Sequence, residues 1–238
     1  MSTLTVLMNK VKSDLDLEDE INPFTNNKDL RRFFNDSIQD AEAEIHNIFE
    51  DYFLAETDLT MTSGSSLVSM PTDIFANKIR KLMYFHPTLS QRYTINFLRN
   101  LQTIMSVDSS DNYKYRIIND TDDGGVPKIK LFPDSQETST NLKCYYLRNA
   151  KTFDIDGSDD SENVDIPEFE RFLVARVKMF VYEKDSDPRF QVAQIETERY
   201  RKMMVETLSR SRPDDDSLIQ PDYSFYDDFS DSYGDDYA

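Results

Sequence analysis

The chain has 238 residues, with 45 Asp and Glu against 27 Lys and Arg, for a net charge of −18. Charge of that sign opposes binding to a phosphate backbone or an anionic membrane surface, both of which call for cationic partners. No apolar run approaches the ~20 residues needed to span a bilayer, the start "MSTLTVLMNKVKSDLDL" has no signal-peptide pattern, and the single Cys144 fits a reducing compartment and excludes an internal disulfide.

In chain order, residues 4–17 predict a short helix with Leu4, Leu7 and Val11 on one side, broken by "INPFTNN". A long helix is predicted over 28–55. There Leu30, Phe34, Ile38, Ala41, Ile45, Phe49 and Phe53 recur at three- and four-residue steps, with Asp36, Asp40, Glu44 and Glu50 opposite. From 59 to 148 the pattern is mostly strand. A short strand ends at Pro71, and "IRKLMYF" (79–85), "NYKYRIIN" (112–119), "PKIKLFP" (127–133) and "NLKCYYL" (141–147) alternate or are rich in aromatic and branched residues. "TDDGGVP" reads as a hairpin loop, and "INFLRNLQTIM" (95–105) as a helix between strands.

"DIDGSDDSENVD" (154–165) reads as an acidic linker. A buried helix should follow at "DIPEFERFLVARVKMFVYEK", with Asp165 and Glu168 at capping-box spacing and Pro167 in the first turn. A last helix is predicted over 189–210, stopped by Pro213. The expected fold class is α+β: a helical bundle made of the long N-terminal helix and two C-terminal helices, with a central β-rich insertion projecting from it and an extended C-terminal tail. The corresponding segments are 1–58, 59–148, 149–212 and 213–238.

Catalytic and metal signatures are sparse. Only His46 and His86 are available as imidazole bases. His46, on the acidic helix, reads as a hydrogen-bonded surface imidazole, and Cys144 as a small buried hydrophobe in a strand. One Cys and two distant His make no structural zinc site. The linker fails the calcium-loop pattern, because Thr152 and Asn163 would occupy its first and last ligand positions. No enzyme activity and no cofactor are expected.

The block "LRRFFNDSIQDAEAEIHNIFEDYFL", followed by "LTMTSGSSLVSMPTDIFANKIRKLMY", resembles the head-to-tail adaptor (connector) proteins of tailed bacteriophages. In that family an early helix with an "N-D/E-A" stretch leads to a polar β segment, a Pro-x-Asp turn and a strand. Here the turn is Pro71-Thr72-Asp73. "KIKLFPDS", "NLKCYYLRNAK" and "VDIPEFERFLVARVKMFVYEKDSDPRFQVAQIETERYRKMM" are similar to the later strands and closing helix pair. The resemblance spans about 25–210. It implies a ring of about twelve copies under the portal protein at the capsid–tail junction, synthesised in the host cytoplasm, with a downstream tail or second neck-ring protein as a further partner. Double-stranded DNA would pass through without specific binding. Another neck or tail-completion protein, or an acidic DNA-mimic inhibitor, are the alternative readings.

Two features of the residues bear on such a ring. Residues 33–77 hold nine acids and no Lys or Arg, whereas 74–107 hold no acid and five bases. Blocks of opposite sign suit a head-to-tail contact in which Lys78, Arg80 and Lys81 of one copy meet Asp36, Asp40 and Glu44 of the next. They could equally pair within one subunit. The tail holds nine acids and no Lys or Arg, a composition that does not fold by itself. It also carries Tyr223, Phe225, Tyr226, Phe229, Tyr233 and Tyr237, residue types that anchor interfaces. It is expected to dock on the portal or on a neighbouring subunit.

Overall fold

A computed structural model of the chain describes residues 3–15, 26–86, 91–99, 113–135, 138–156 and 162–211. Among them are four helices: α1 (Leu4–Asp14), α2 (Asn27–Ile48), α3 (Glu170–Lys184) and α4 (Phe190–Ser211). Asn26 and Asp29 close a reciprocal capping box on α2, so the helix starts where its first free N–H groups find acceptors. Leu30, Phe34, Ile38, Ala41 and Ile45 then bury one face. α3 is buried on more than one side, through Phe172, Leu173, Val174, Ala175, Val177, Met179 and Val181. It is the central helix, packed by α1, α2 and α4. Each fully buried Leu, Ile or Phe of this core contributes about 1.5–3 kcal/mol relative to exposure.

Among the described residues seven strands follow one another between α2 and α3: β1 (Leu54–Met61), β2 (Leu67–Ser69), β3 (Ile74–His86), β4 (Gln91–Phe97), β5 (Lys114–Asp120), β6 (Val126–Phe132) and β7 (Ser139–Arg148). Their order is β1-β7-β3-β4-β5-β6-β2. Every pairing is antiparallel except the short parallel one of β4 with β5, which joins Asn96 to Lys114 and Phe97 to Tyr115. The edge strands β1 and β2 approach each other, so the sheet nearly closes into a barrel. Its interior is a second core, with Leu59, Met61, Leu82, Ile95, Ile129, Leu131, Leu142 and Cys144 meeting across the strands.

This corrects the expected architecture. The β region is not an insertion hung on a bundle; it is a near-closed barrel with its own core, in an α+β chain. Two strands account for the difference. The long helix ends at Ile48, not at 55, and a 3₁₀ turn (Glu50–Phe53) leads straight into β1. Phe49 and Phe53 continue the three- and four-residue series, yet they serve the junction with the barrel. The helix predicted at 95–105 is β4 over Ile95–Phe97, and residues 100–105 lie outside the described residues. With β1 and β4 added, the sheet is wide enough to curl onto itself.

A second correction concerns the start of α3. Pro167–Phe169 form a 3₁₀ turn, and α3 begins at Glu170 without a side-chain cap. The predicted capping carboxylate of Asp165 instead accepts hydrogen bonds from Arg148 at 2.5 Å and from the Lys151 N–H at 2.7 Å. Glu168 accepts one from the Tyr52 hydroxyl at 2.6 Å. Both carboxylates are thus drawn away from the α3 N-terminus, Asp165 chiefly by the charged Arg148 of β7 and Glu168 by Tyr52 in the turn before β1. The far end of the acidic linker is also fixed. Val164 and Ile166 are buried, and Glu162 accepts a hydrogen bond from the Leu4 N–H.

Candidate partner-contact surface

The 3₁₀ turn after α2 brings the acidic and basic blocks together inside one subunit. Glu50 accepts hydrogen bonds from Lys78 at 2.7 Å and Arg80 at 2.5 Å, and Arg80 also reaches Asp51 at 2.8 Å. These two cations hold the Glu50 carboxyl below the usual carboxylate range. Both come from a bulge in β3, where Ala76 (φ 47°) and Asn77 (φ 58°) adopt left-handed conformations and the register with β7 jumps between Ile74 and Ile79. Asn tolerates that region; for Ala it costs about 1–2 kcal/mol.

The remaining residues of the expected charge contact divide into two kinds. Asp40 bridges to Arg176 at 2.7 Å, and Glu44 is bonded to Arg201. These pairs border a groove between α2, α3 and α4, walled by Phe172, Phe180 and Phe190. Asp36 on α2 and Lys81 on β3 are exposed and make no ion pair among the described residues. Lys81 stands on the outer face of the barrel, opposite Tyr145. Thus four of the six residues already have partners within the subunit, and Asp36 and Lys81 remain available to another. The tail residues Tyr223, Phe225, Tyr226, Phe229, Tyr233 and Tyr237 lie outside the described residues.

His46 departs from its expected surface position. It is 9% exposed, stacked on Phe75 and tilted against Phe53, and neither ring nitrogen has a hydrogen-bond partner. Burial lowers its pKa, against the opposing pull of the Glu42 carboxylate at 3.7 Å. A neutral ring pressed between aromatics has no geometry for proton transfer to a substrate. Cys144 faces the barrel interior, and burial pushes its thiol up to about 12, far from a reactive thiolate. Among the described residues there is no group of three His, Cys, Asp or Glu able to hold a metal ion.

The Pro71-Thr72-Asp73 turn lies where the family resemblance needs it, between β2 and β3. Asp73 anchors it, accepting a hydrogen bond from the Tyr146 hydroxyl at 2.8 Å, while its carbonyl accepts one from the Asn149 N–H. The family model described as SU10 adaptor protein matches residues 2–221, through both cores and into the tail. The chain belongs to the SU10 adaptor protein family. No curated protein matches it. As an SU10 adaptor protein it is a structural component of a phage particle, in agreement with the resemblance read from the sequence. The surfaces of this SU10 adaptor protein are therefore of interest as contacts with other virion proteins.

One such surface is absent from the sequence expectations: the cationic outer face of the β5–β6 hairpin. Its signal was present in the alternation of Lys114 with Arg116 and of Lys128 with Lys130 on either side of "TDDGGVP". Only the register, set by left-handed Gly124 and Gly125 in the turn, shows that these cations face one another.

Proposed function

We propose that the chain is one subunit of a head-to-tail adaptor ring of about twelve copies, seated beneath the portal protein at the capsid–tail junction and lining part of the DNA channel. The match of the SU10 adaptor family across residues 2–221 carries this reading. The ring closes by head-to-tail contacts, in which the exposed Lys81 of one subunit faces acidic residues such as Asp36 of the next. Its role is mechanical and needs no cofactor. The excess of carboxylates suits a passage that must not grip DNA, since they repel phosphates rather than release their counterions. The acidic aromatic tail docks on the portal or on a neighbouring subunit. Repeated around a ring, individually weak contacts act together at high effective concentration.

Imaging the purified protein alone and mixed with portal rings tests this. Collars stacked on the portal are the expected result. Small free particles that ignore the portal would reject it.

A further inference from the structure

The β5–β6 hairpin gathers like charge in a chain whose net charge is −18. Arg116 lies directly opposite Lys130, and Lys114 opposite Phe132. Strand alternation turns Tyr115, Ile129 and Leu131 into the barrel, which leaves Lys114, Arg116 and Lys130 on the outer face with Ile118 and Phe132. Like charges facing each other across two strands destabilise the pairing. Among the described residues none of these three cations has an ion pair, and Lys130 rests over the Phe132 ring at 5.4 Å. The same face shows how such charge is otherwise neutralised: Lys128 is held by Asp120 at 2.7 Å and Asp123 at 3.0 Å. Among the described residues, then, the cationic half has no carboxylate paired to it, as Lys128 beside it does. In the near-closed sheet β5 lies about as far around the barrel as possible from β7, the strand packed against the 3₁₀ turn that follows α2.

We propose that this face receives the acidic aromatic segment 221–238 of a second copy of the chain. The choice rests on charge complementarity. Segment 221–238 has Asp222, Asp227, Asp228, Asp231, Asp235 and Asp236, no Lys or Arg, and Tyr and Phe spaced among the acids. Its carboxylates match Lys114, Arg116 and Lys130, and its rings match the half-buried Phe132 and Ile118 beside them. A duplex would also be drawn to three cations, but its phosphate backbone offers Phe132 and Ile118 no apolar partner, whereas the Tyr and Phe of the segment do. The proposal rests on the ring reading and names the receptor of the docking tail.

The test uses the full chain, prepared as a mixture of unlabelled and nitrogen-15-labelled copies. A carbodiimide, which joins Lys amines to carboxylates without a spacer, is applied with and without portal rings. Mass spectrometry should find Lys114 or Lys130 joined to an aspartate of 222–236 in light–heavy pairs. Joins confined to a single label, or none, would overturn the proposal. In parallel, a fluorescent 221–238 peptide is titrated with the full chain. Arg116→Glu places an opposite charge across from Lys130, so the variant keeps the strand pairing while cancelling the cationic face. Peptide binding should weaken about tenfold in that variant and also at about 0.5 M salt. Unchanged binding would overturn the assignment of the face. So would an Arg116-dependent capture of duplex DNA with no capture of the peptide. Native mass spectra of the same samples read the ring separately. Rings without these joins defeat this proposal alone, and peptide capture without rings defeats the ring alone.

Discussion

The Phe75 ring stacks on the His46 ring with centroids 3.9 Å apart and planes 15° from parallel, joining the β3 bulge to the last turn of α2. Because burial lowers the His46 pKa below its ordinary 6.5, this joint is sensitive to acid. The unfolded chain takes up a proton near that ordinary value, while the folded chain resists it until lower pH. The contribution is therefore full above about 6.5 and is lost as pH falls toward the folded pKa. Glu42 and Lys78 are the charged groups that face the ring and act on it in opposite senses. The wild-type thermal unfolding midpoint should fall as pH is lowered below about 6.5, and His46→Phe, which keeps the stack, should flatten that drop. An identical pH profile for both proteins would show that His46 is not buried in neutral form.

Arg116 opposite Lys130 predicts a gain from charge reversal. Arg116→Glu should raise stability in urea by about 0.2–1 kcal/mol, because the pair becomes attractive. A loss of stability would mean that the two cations do not share one face. The expectation is unusual for a charge reversal, which makes it a sharp check on the register.

Lys81 separates contacts between subunits from those within one. Reversing Lys78 and Arg80 breaks their bonds to Glu50 and Asp51 and so perturbs the subunit itself. Lys81→Glu touches none of these. It should weaken ring assembly, read by native mass spectrometry, while the unfolding midpoint stays within about 0.5 kcal/mol of wild type. Intact rings in this variant would remove Lys81 from the contact.

Phe53 is 1% exposed where the helices meet the barrel, with the Arg148 guanidinium 5.5 Å from its ring centre. Phe53→Ala should cost about 3–5 kcal/mol in urea unfolding. Cys144, sealed in the barrel, should resist alkylation in the native state and react only on unfolding. Rapid labelling of native protein would mean that the barrel opens.

Removing 214–238 should leave both cores folded, since the buried residues described in them all lie before it. It should sharply reduce recovery of the chain with portal rings in co-sedimentation. Wild-type recovery would reject docking by the tail.

The helices were legible because a single signal, apolar residues every three or four positions, marks both their existence and their buried face. α4 lies within a few residues of expectation, α3 starts later than expected, and α2 departs at its C-terminus. There Phe49 and Phe53 keep the helical interval while the backbone turns into the barrel. Strands β5, β6 and β7 and the Gly124-Gly125 turn were legible for the matching reason, alternation bounded by a turn signal. β1 was hidden because "LAETDLTM" carries polar residues at half its positions, as befits a strand with one wet face, and its first residues continue the helical spacing of Phe49 and Phe53. Closure of the sheet was not legible at all. It depends on β1 and β2 meeting at long range, and no local pattern encodes it. At the surface, the charge blocks were visible in the sequence, but their partners were not. Glu50 reaches Lys78 and Arg80 only because the 3₁₀ turn and the β3 bulge face each other.

The central claim is a closed ring of these subunits at the head–tail junction. The most direct test is the ratio of this chain to portal protein in purified virions, measured by quantitative mass spectrometry. A ratio near one, or about twelve copies per particle, is the predicted result. A single copy per particle, or none, would contradict it.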